Sequence, residues 1–133
     1  MYLSELMQGE KYAFYSIVKH MVSADGTFSV EELELMQGFL DEMAISESLI
    51  TEIPLNDAIQ MFSYSSEAIR RKVFIELVGV TLCDSFLHEN EKILLSSIAD
   101  SFLISEEEQD EIFEMVQEIL KLYSKLQEII DRV

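Results

Sequence analysis

The chain has 133 residues, a length that fits one domain with a hydrophobic core of its own. Apolar residues make up 49% of it, interrupted by one proline and four glycines, so the composition favours helices over a turn-rich β fold or a disordered chain. A formal net charge of −17 makes nucleic acid and a bare bilayer poor partners and favours cations and basic protein surfaces, although acidity can also serve solubility alone.

The first third of the chain predicts two amphipathic helices. Apolar side chains recur at helical spacing through residues 14–22, which indicates a helix ending near Asp25. Ser29 and Glu32 form the S-x-x-E pattern of a capping box, so a second helix is expected to begin there. Two shorter helical pieces are expected at residues 47–52 and 56–62.

The second half predicts three longer helices, over residues 65–84, 89–102 and about 105–131. The first of these is apolar on nearly every face, which is typical of an enclosed helix. Its Glu76 is expected to pair with Lys72 one turn earlier or to lie on the one wetted face. No alternation typical of strands appears, so we expect an all-α fold, a single domain over residues 1–133 with six to seven helices.

An internal repeat is visible when the chain is shifted by 59 residues. Residues 25–47 then align without a gap on residues 84–106, with seven identities and matched apolar positions. We expect repeat units at about 12–47 and 71–106, related by a pseudo-twofold axis and packed against each other.

The cellular compartment is inferred from three features. The lone Cys83 lies in an apolar run and is expected to be buried and reduced. Residues 1–11 have no signal-peptide pattern, and the longest apolar stretch, residues 73–83, is too short to cross a bilayer. The prediction is a cytoplasmic protein without membrane insertion.

Four carboxylates occupy matching positions in the two repeat units. Asp25 and Glu32 are seven residues apart, and so are Asp84 and Glu91, each pair spanning a helix–turn–helix junction. Carboxylate oxygens on a fixed turn are what a hard divalent cation requires, so these four residues are the candidate metal ligands. The alternative is that these carboxylates cap helices. Glu32 would then be the capping-box partner of Ser29, whereas His88, the residue that matches Ser29, is a poor cap for the helix that contains Glu91.

Residues 23–33 resemble the A-D-G-x-hydrophobic-x-x-x-E signature of the tellurite-resistance TerB-like family, and a weaker copy follows from Cys83 to Glu91. The resemblance covers about residues 12–118. It implies an all-helical pseudo-twofold domain, a divalent-metal site at the paired acidic motifs, and a role in stress-response systems at the cytoplasmic face of the membrane. Ser85 and Asn90 depart from the family pattern, which puts the second half of the site in doubt.

The C-terminal helix carries two apolar rows. One, from Ile112 to Ile130, alternates by four and three residues, and Met115, Leu122 and Ile129 form the second. A helix of this length, about 40 Å, exceeds the roughly 35 Å width of a domain of this size. We expect either a homodimer or partner contact there, or simple packing across the domain.

No phosphate-binding loop, nucleophile constellation or dinucleotide fingerprint is present in the sequence, so we expect a binding protein and no enzyme. The preferred hypothesis is a TerB-like module with an acidic, metal-binding site that serves a tellurite-resistance or stress-response assembly. The alternative is a metal-free helical adaptor for protein–protein interaction.

Overall fold

A computed structural model describes residues 1–23, 29–83 and 89–132. Within these ranges the chain forms six α-helices, three single-turn 3-10 helices and no strand, so the all-α prediction is confirmed. The 3-10 turns are Leu3–Glu5, Glu47–Leu49 and Phe62–Tyr64. The α-helices are α1 (Gln8–Val22), α2 (Val30–Met43), α3 (Leu55–Met61), α4 (Glu67–Thr81), α5 (Glu89–Ser101) and α6 (Glu106–Ile130).

Serine caps begin three of these helices. The hydroxyls of Ser29, Ser66 and Ser105 each accept a hydrogen bond from the backbone N–H three residues on, at 3.0 to 3.1 Å. Each bond satisfies one of the N–H groups that the first turn of a helix leaves without a partner. The capping box predicted at Ser29 is complete, because the Glu32 carboxylate accepts from the Ser29 N–H at 2.9 Å.

Two helices end in the same way. Ala44 after α2 and Leu103 after α5 both adopt left-handed backbone conformations, with φ of 55° and 60°. In each case the next N–H bonds back to the carbonyl five residues earlier, Ile45 to Leu40 and Ile104 to Ala99, which is the Schellman arrangement. Ala44 and Leu103 are 59 residues apart, and the same offset separates the first residues of α1 and α4 and those of α2 and α5.

The core is built around α1 and α4. Helix α1 contacts α2, α3, α4 and α5, while α4 also contacts α5 and α6. Two aromatic pairs connect different segments within the core. Phe14 packs edge-on against Phe39 with ring centroids 5.1 Å apart, and the ring centroids of Phe62 and Phe102 are 5.4 Å apart. Such pairs add specific geometry to apolar burial. The core thus holds α1 to α5 closely together.

Both alternatives predicted for Glu76, pairing with Lys72 and a position on a wetted face, are wrong. The Glu76 carboxylate is 8% exposed and accepts from the Met1 α-ammonium at 2.7 Å and from the Tyr2 N–H at 2.9 Å. Lys72 instead bonds Glu5 at 2.8 Å. A buried glutamate requires a compensating donor, and the start of the chain supplies two. The first turn of the chain is therefore tied to α4.

Candidate functional site

Two of the four predicted metal ligands are in the described part of the chain, and both are buried. Glu32 is the third residue of α2 and Glu91 the third residue of α5, with 2% and 3% of their surfaces exposed. Glutamate is rarely buried to this degree. The other two predicted ligands, Asp25 and Asp84, lie outside the described residues, so the proposed convergence of all four is not visible.

The capping interpretation accounts for Glu32 in full geometric detail. Its carboxylate and the Ser29 hydroxyl each bond the other residue's N–H, at 2.9 and 3.0 Å. A negative charge in the first turn also interacts favourably with the helix dipole. A cap and a metal ligand are compatible roles, because a carboxylate has about four acceptor positions and the cap uses one of them.

The described residues contain no cluster of three or more histidine, cysteine or acidic side chains placed to hold a metal ion. The candidate set there consists of Glu32 and Glu91 alone. A divalent cation with six or more oxygen ligands requires further donors beyond these two. In the predicted site, Asp25 and Asp84 are the residues that have to supply them.

A small pocket that no sequence pattern indicated lies beside α1, and most of the residues that line it carry polar groups. It has a volume of about 130 Å³ and is lined by Tyr15, Lys19, His20 and Glu47 among others. Burial, reinforced by the nearby Glu47 carboxylate, raises the pKa of Tyr15 to about 12. A phenol with a raised pKa stays protonated at neutral pH, the opposite of what a catalytic base requires. Tyr15 therefore serves this pocket as a hydrogen-bonding group and not as a base.

The last helix has a large apolar surface in contact with solvent. Every residue from 121 to 130 is exposed. Val116 is the one residue of α6 that is buried, counting the described part of the chain. At 1.5 Å per residue, α6 extends about 37 Å, so its last turns continue past the region where it packs on α4. Its exposed apolar face consists of six side chains that are 52% to 70% exposed: Met115, Leu122, Tyr123, Leu126, Ile129 and Ile130.

Two open apolar grooves lie along α6. One, of about 270 Å³, lies between the first turn of the chain, Ile75 of α4 and Met115 of α6. The other, of about 500 Å³, is lined by Leu35, Gly79 and Tyr123 among others. Cys83 lines this second groove and is half-buried, so its predicted full burial is wrong. The two grooves share Ile75, Val116 and Ile119, and each includes one side chain of the exposed apolar face, Met115 in the first and Tyr123 in the second.

Charge is distributed unevenly along α6. Residues 106–118 contain seven acidic side chains and no basic one. Residues 119–132 contain Lys121, Lys125 and Arg132 against two acids, so this end is the more basic part of a very acidic chain. The helix therefore has an acidic first half and a weakly basic second half.

No helix in the described part of the chain combines the length and apolar character needed to cross a bilayer. Comparison of the chain with models of protein families, with curated proteins and with solved structures found no match. The resemblance to the TerB-like family therefore rests on the sequence motifs alone.

Proposed function

We propose that this chain is a non-enzymatic helical binding module that docks a protein through the exposed apolar face of α6. The observation that carries this proposal is a run of ten helical residues, 121–130, without a buried member and with five large apolar side chains. Contiguous apolar patches of this kind are uncommon on monomeric soluble proteins and mark interaction sites. A rigid helix with apolar positions every three to four residues is a common form of such a site.

The TerB-like resemblance supplies the proposed setting, a cytoplasmic stress-response or tellurite-resistance assembly. The acidic motif at residues 23–33 supports it, and the 59-residue offset shared by the sequence alignment and the helix bounds supports a duplicated, pseudo-twofold domain. A net charge of −17 agrees with docking onto a protein and disfavours docking onto nucleic acid.

A photo-crosslinking residue at Leu126, introduced in cells that express the protein at its normal level, tests the docking proposal. We expect one discrete covalent adduct with a protein. The same probe at Tyr64, which is 94% exposed and distant in sequence from α6, is expected to give none. Gel mobility and mass spectrometry of the adduct identify the captured protein.

Substitution of the face provides the specificity control. Leu122→Gln with Ile129→Gln is expected to abolish the Leu126 adduct while changing the free energy of unfolding by less than about 0.5 kcal/mol per site, because both positions are exposed. Leu49→Gln, at an exposed leucine outside α6, is expected to leave the adduct unchanged. An adduct that survives the double substitution, or equal crosslinking from Tyr64, contradicts docking through this face.

Divalent-metal binding is a second candidate function of the same module. The observation that favours it is the burial of Glu32 and Glu91 at the same position of two helices whose first residues are 59 apart. The ligands proposed are these two residues together with Asp25 and Asp84, and calcium, magnesium, manganese and zinc are the ions to test.

Thermal unfolding of chelator-treated protein, with each ion in turn, tests the metal site. At an ion concentration of 100 times the dissociation constant, binding adds about 2.7 kcal/mol, a shift of several degrees in Tm. The variant Glu32→Gln/Glu91→Gln is expected to lose this shift. Glutamine still accepts the hydrogen bond of a capping box, so the helix start is preserved while two charges are removed.

The matched control is Glu34→Gln/Glu89→Gln, which removes two charges from exposed positions on the same two helices. It is expected to keep the metal-induced shift. Equal shifts in both variants, or no shift with any ion in the native protein, would identify Glu32 and Glu91 as structural carboxylates.

A further inference from the structure

We propose that the protein docked by α6 is a second copy of this chain, and that the two α6 helices pair antiparallel. This inference rests on the proposed docking function and assigns its partner. Three features of α6 support it: the spacing of its apolar residues, the identity of the charged residues beside them, and the apolar groove along its first half.

The apolar spacing is that of a two-helix seam. Met115, Ile119, Leu122, Leu126 and Ile129 follow one another at intervals of four, three, four and three residues. A repeat averaging 3.5 residues keeps one apolar stripe facing a partner helix along its length. Ile119 is half-buried and the other four side chains are more than half exposed, so most of the stripe is accessible to a second molecule.

The residues beside this stripe determine the orientation. Glu111, Glu118, Lys125 and Arg132 recur every seven residues on one side of it, and the charge changes sign halfway along. In a parallel pair of α6 helices the acidic halves would lie side by side and repel each other. In an antiparallel pair each acidic half faces the more basic half of the other copy, which favours association of two chains that are otherwise strongly negative.

One antiparallel register satisfies both the apolar and the charged positions. It places Leu126 on Met115 of the second copy and Ile119 on Leu122 of the second copy. With that register Lys125 lies beside Glu118 of the other chain, and Arg132 beside Glu111. By twofold symmetry each contact occurs twice, giving four ion pairs across the interface. Within the described residues, none of these four side chains forms an ion pair in its own chain.

The groove beside the first half of α6 is where the helix of the second copy would contact residues outside α6. Its walls are Tyr2, Ile75, Ile112 and Met115, and its volume is about 270 Å³. In the proposed register the second copy's residues 126–130 approach this position, with Leu126, Ile129 and Ile130 as the side chains to fill it. The pairing therefore buries apolar surface from the domain body as well as from α6.

Sedimentation equilibrium on purified protein tests the proposal. We expect a particle of twice the 15.3 kDa chain mass at tens of micromolar. Lys125→Glu is expected to raise the dimer dissociation constant about tenfold, because it breaks two ion pairs and creates two repulsions. Adding Glu118→Lys to the same chain reverses the sign of both partners and is expected to restore dimerisation. That rescue requires the antiparallel register.

Lys121→Glu is the matched control, because it makes the same charge change on α6 outside the proposed ion pairs, and it is expected to leave the dissociation constant within about twofold of the native value. Circular dichroism verifies that every variant remains helical. A monomer at high micromolar concentration, or failure of the charge reversal to rescue, overturns the antiparallel dimer. The outcome at Leu126 in cells separates the two proposals: an adduct with a different protein, together with a monomer in solution, overturns the dimer and leaves the docking function standing.

Discussion

Replacing Phe14 with alanine is expected to lower the free energy of unfolding by about 3–5 kcal/mol. The Phe14 side chain has 0% exposure and lies on α1, the helix that contacts α2, α3, α4 and α5. Its ring also packs edge-on against Phe39 at 5.1 Å. The substitution leaves a cavity where these helices meet, and the surrounding packing can close it only partially.

Urea unfolding followed by circular dichroism measures this loss, and Phe113→Ala is the matched control. Phe113 is a phenylalanine of α6 that packs against the core and remains half-buried. Its replacement is expected to cost less than half as much, since less apolar surface returns to water. Equal losses at the two positions would contradict a core centred on α1.

Replacing Glu76 with alanine is expected to destabilise the protein by about 1–3 kcal/mol. The substitution removes the acceptor shared by the Met1 ammonium and the Tyr2 N–H, at 2.7 and 2.9 Å. Glu42 also bonds the ammonium and accepts from the Leu3 N–H at 2.8 Å, so part of the attachment survives. Glu76→Gln is expected to cost less, because its side-chain oxygen still accepts from Tyr2. Chemical denaturation of the three proteins measures both differences.

The pH dependence of stability provides an independent check on this contact. Burial opposes the charge of the Met1 α-amino group, but hydrogen bonds to Glu76 and Glu42 outweigh it and raise its pKa above the ordinary value of 8.0. The stabilisation is therefore complete below pH 8 and is lost as the pH rises through the folded-state pKa. Acetylation of Met1 is expected to remove this dependence and to reduce the difference in stability between the native protein and Glu76→Gln, because the ion pair is then absent from both. A native protein whose stability is constant above pH 8 would contradict the ion pair.

Local patterns predicted the helices well because their causes are local. The serine caps at positions 29 and 105 act over one turn, and α2 and α6 begin directly after them, at Val30 and Glu106. The apolar periodicity of residues 14–22 identified α1 but not its start at Gln8. The Glu76 contact was predicted wrongly because its partner is 75 positions away in sequence, beyond the reach of any periodicity argument. The Tyr15 pocket was missed for a similar reason, because its polar partner Glu47 comes from a different segment of the chain.

The candidate sites differ in how far the sequence specified them. Matching positions identified Glu32 and Glu91 as a pair, and their shared burial agrees with a common role without defining it. Asp25 and Asp84 lie outside the described residues, so the metal site remains a prediction. The apolar stripe of α6 was visible in the sequence, but its degree of exposure depends on where the other helices end, which only the three-dimensional packing reveals.

Ala44 and Leu103, the two residues with left-handed backbone conformations, direct the chain into turns of the same geometry. The segments that follow differ, one being a single 3-10 turn and the other a long helix. After Ala44 the chain makes a single 3-10 turn, because the β-branched residues 50, 51 and 53 and then Pro54 oppose helical continuation, and α3 returns to pack on α1. After Leu103 comes a run of acidic helix-favouring residues without such a stop, and α6 continues for 25 residues. A few residues that end or permit a helix thus decide whether the segment after the left-handed turn stays short and packs on α1, as α3 does, or continues as a long helix with an exposed end, as α6 does.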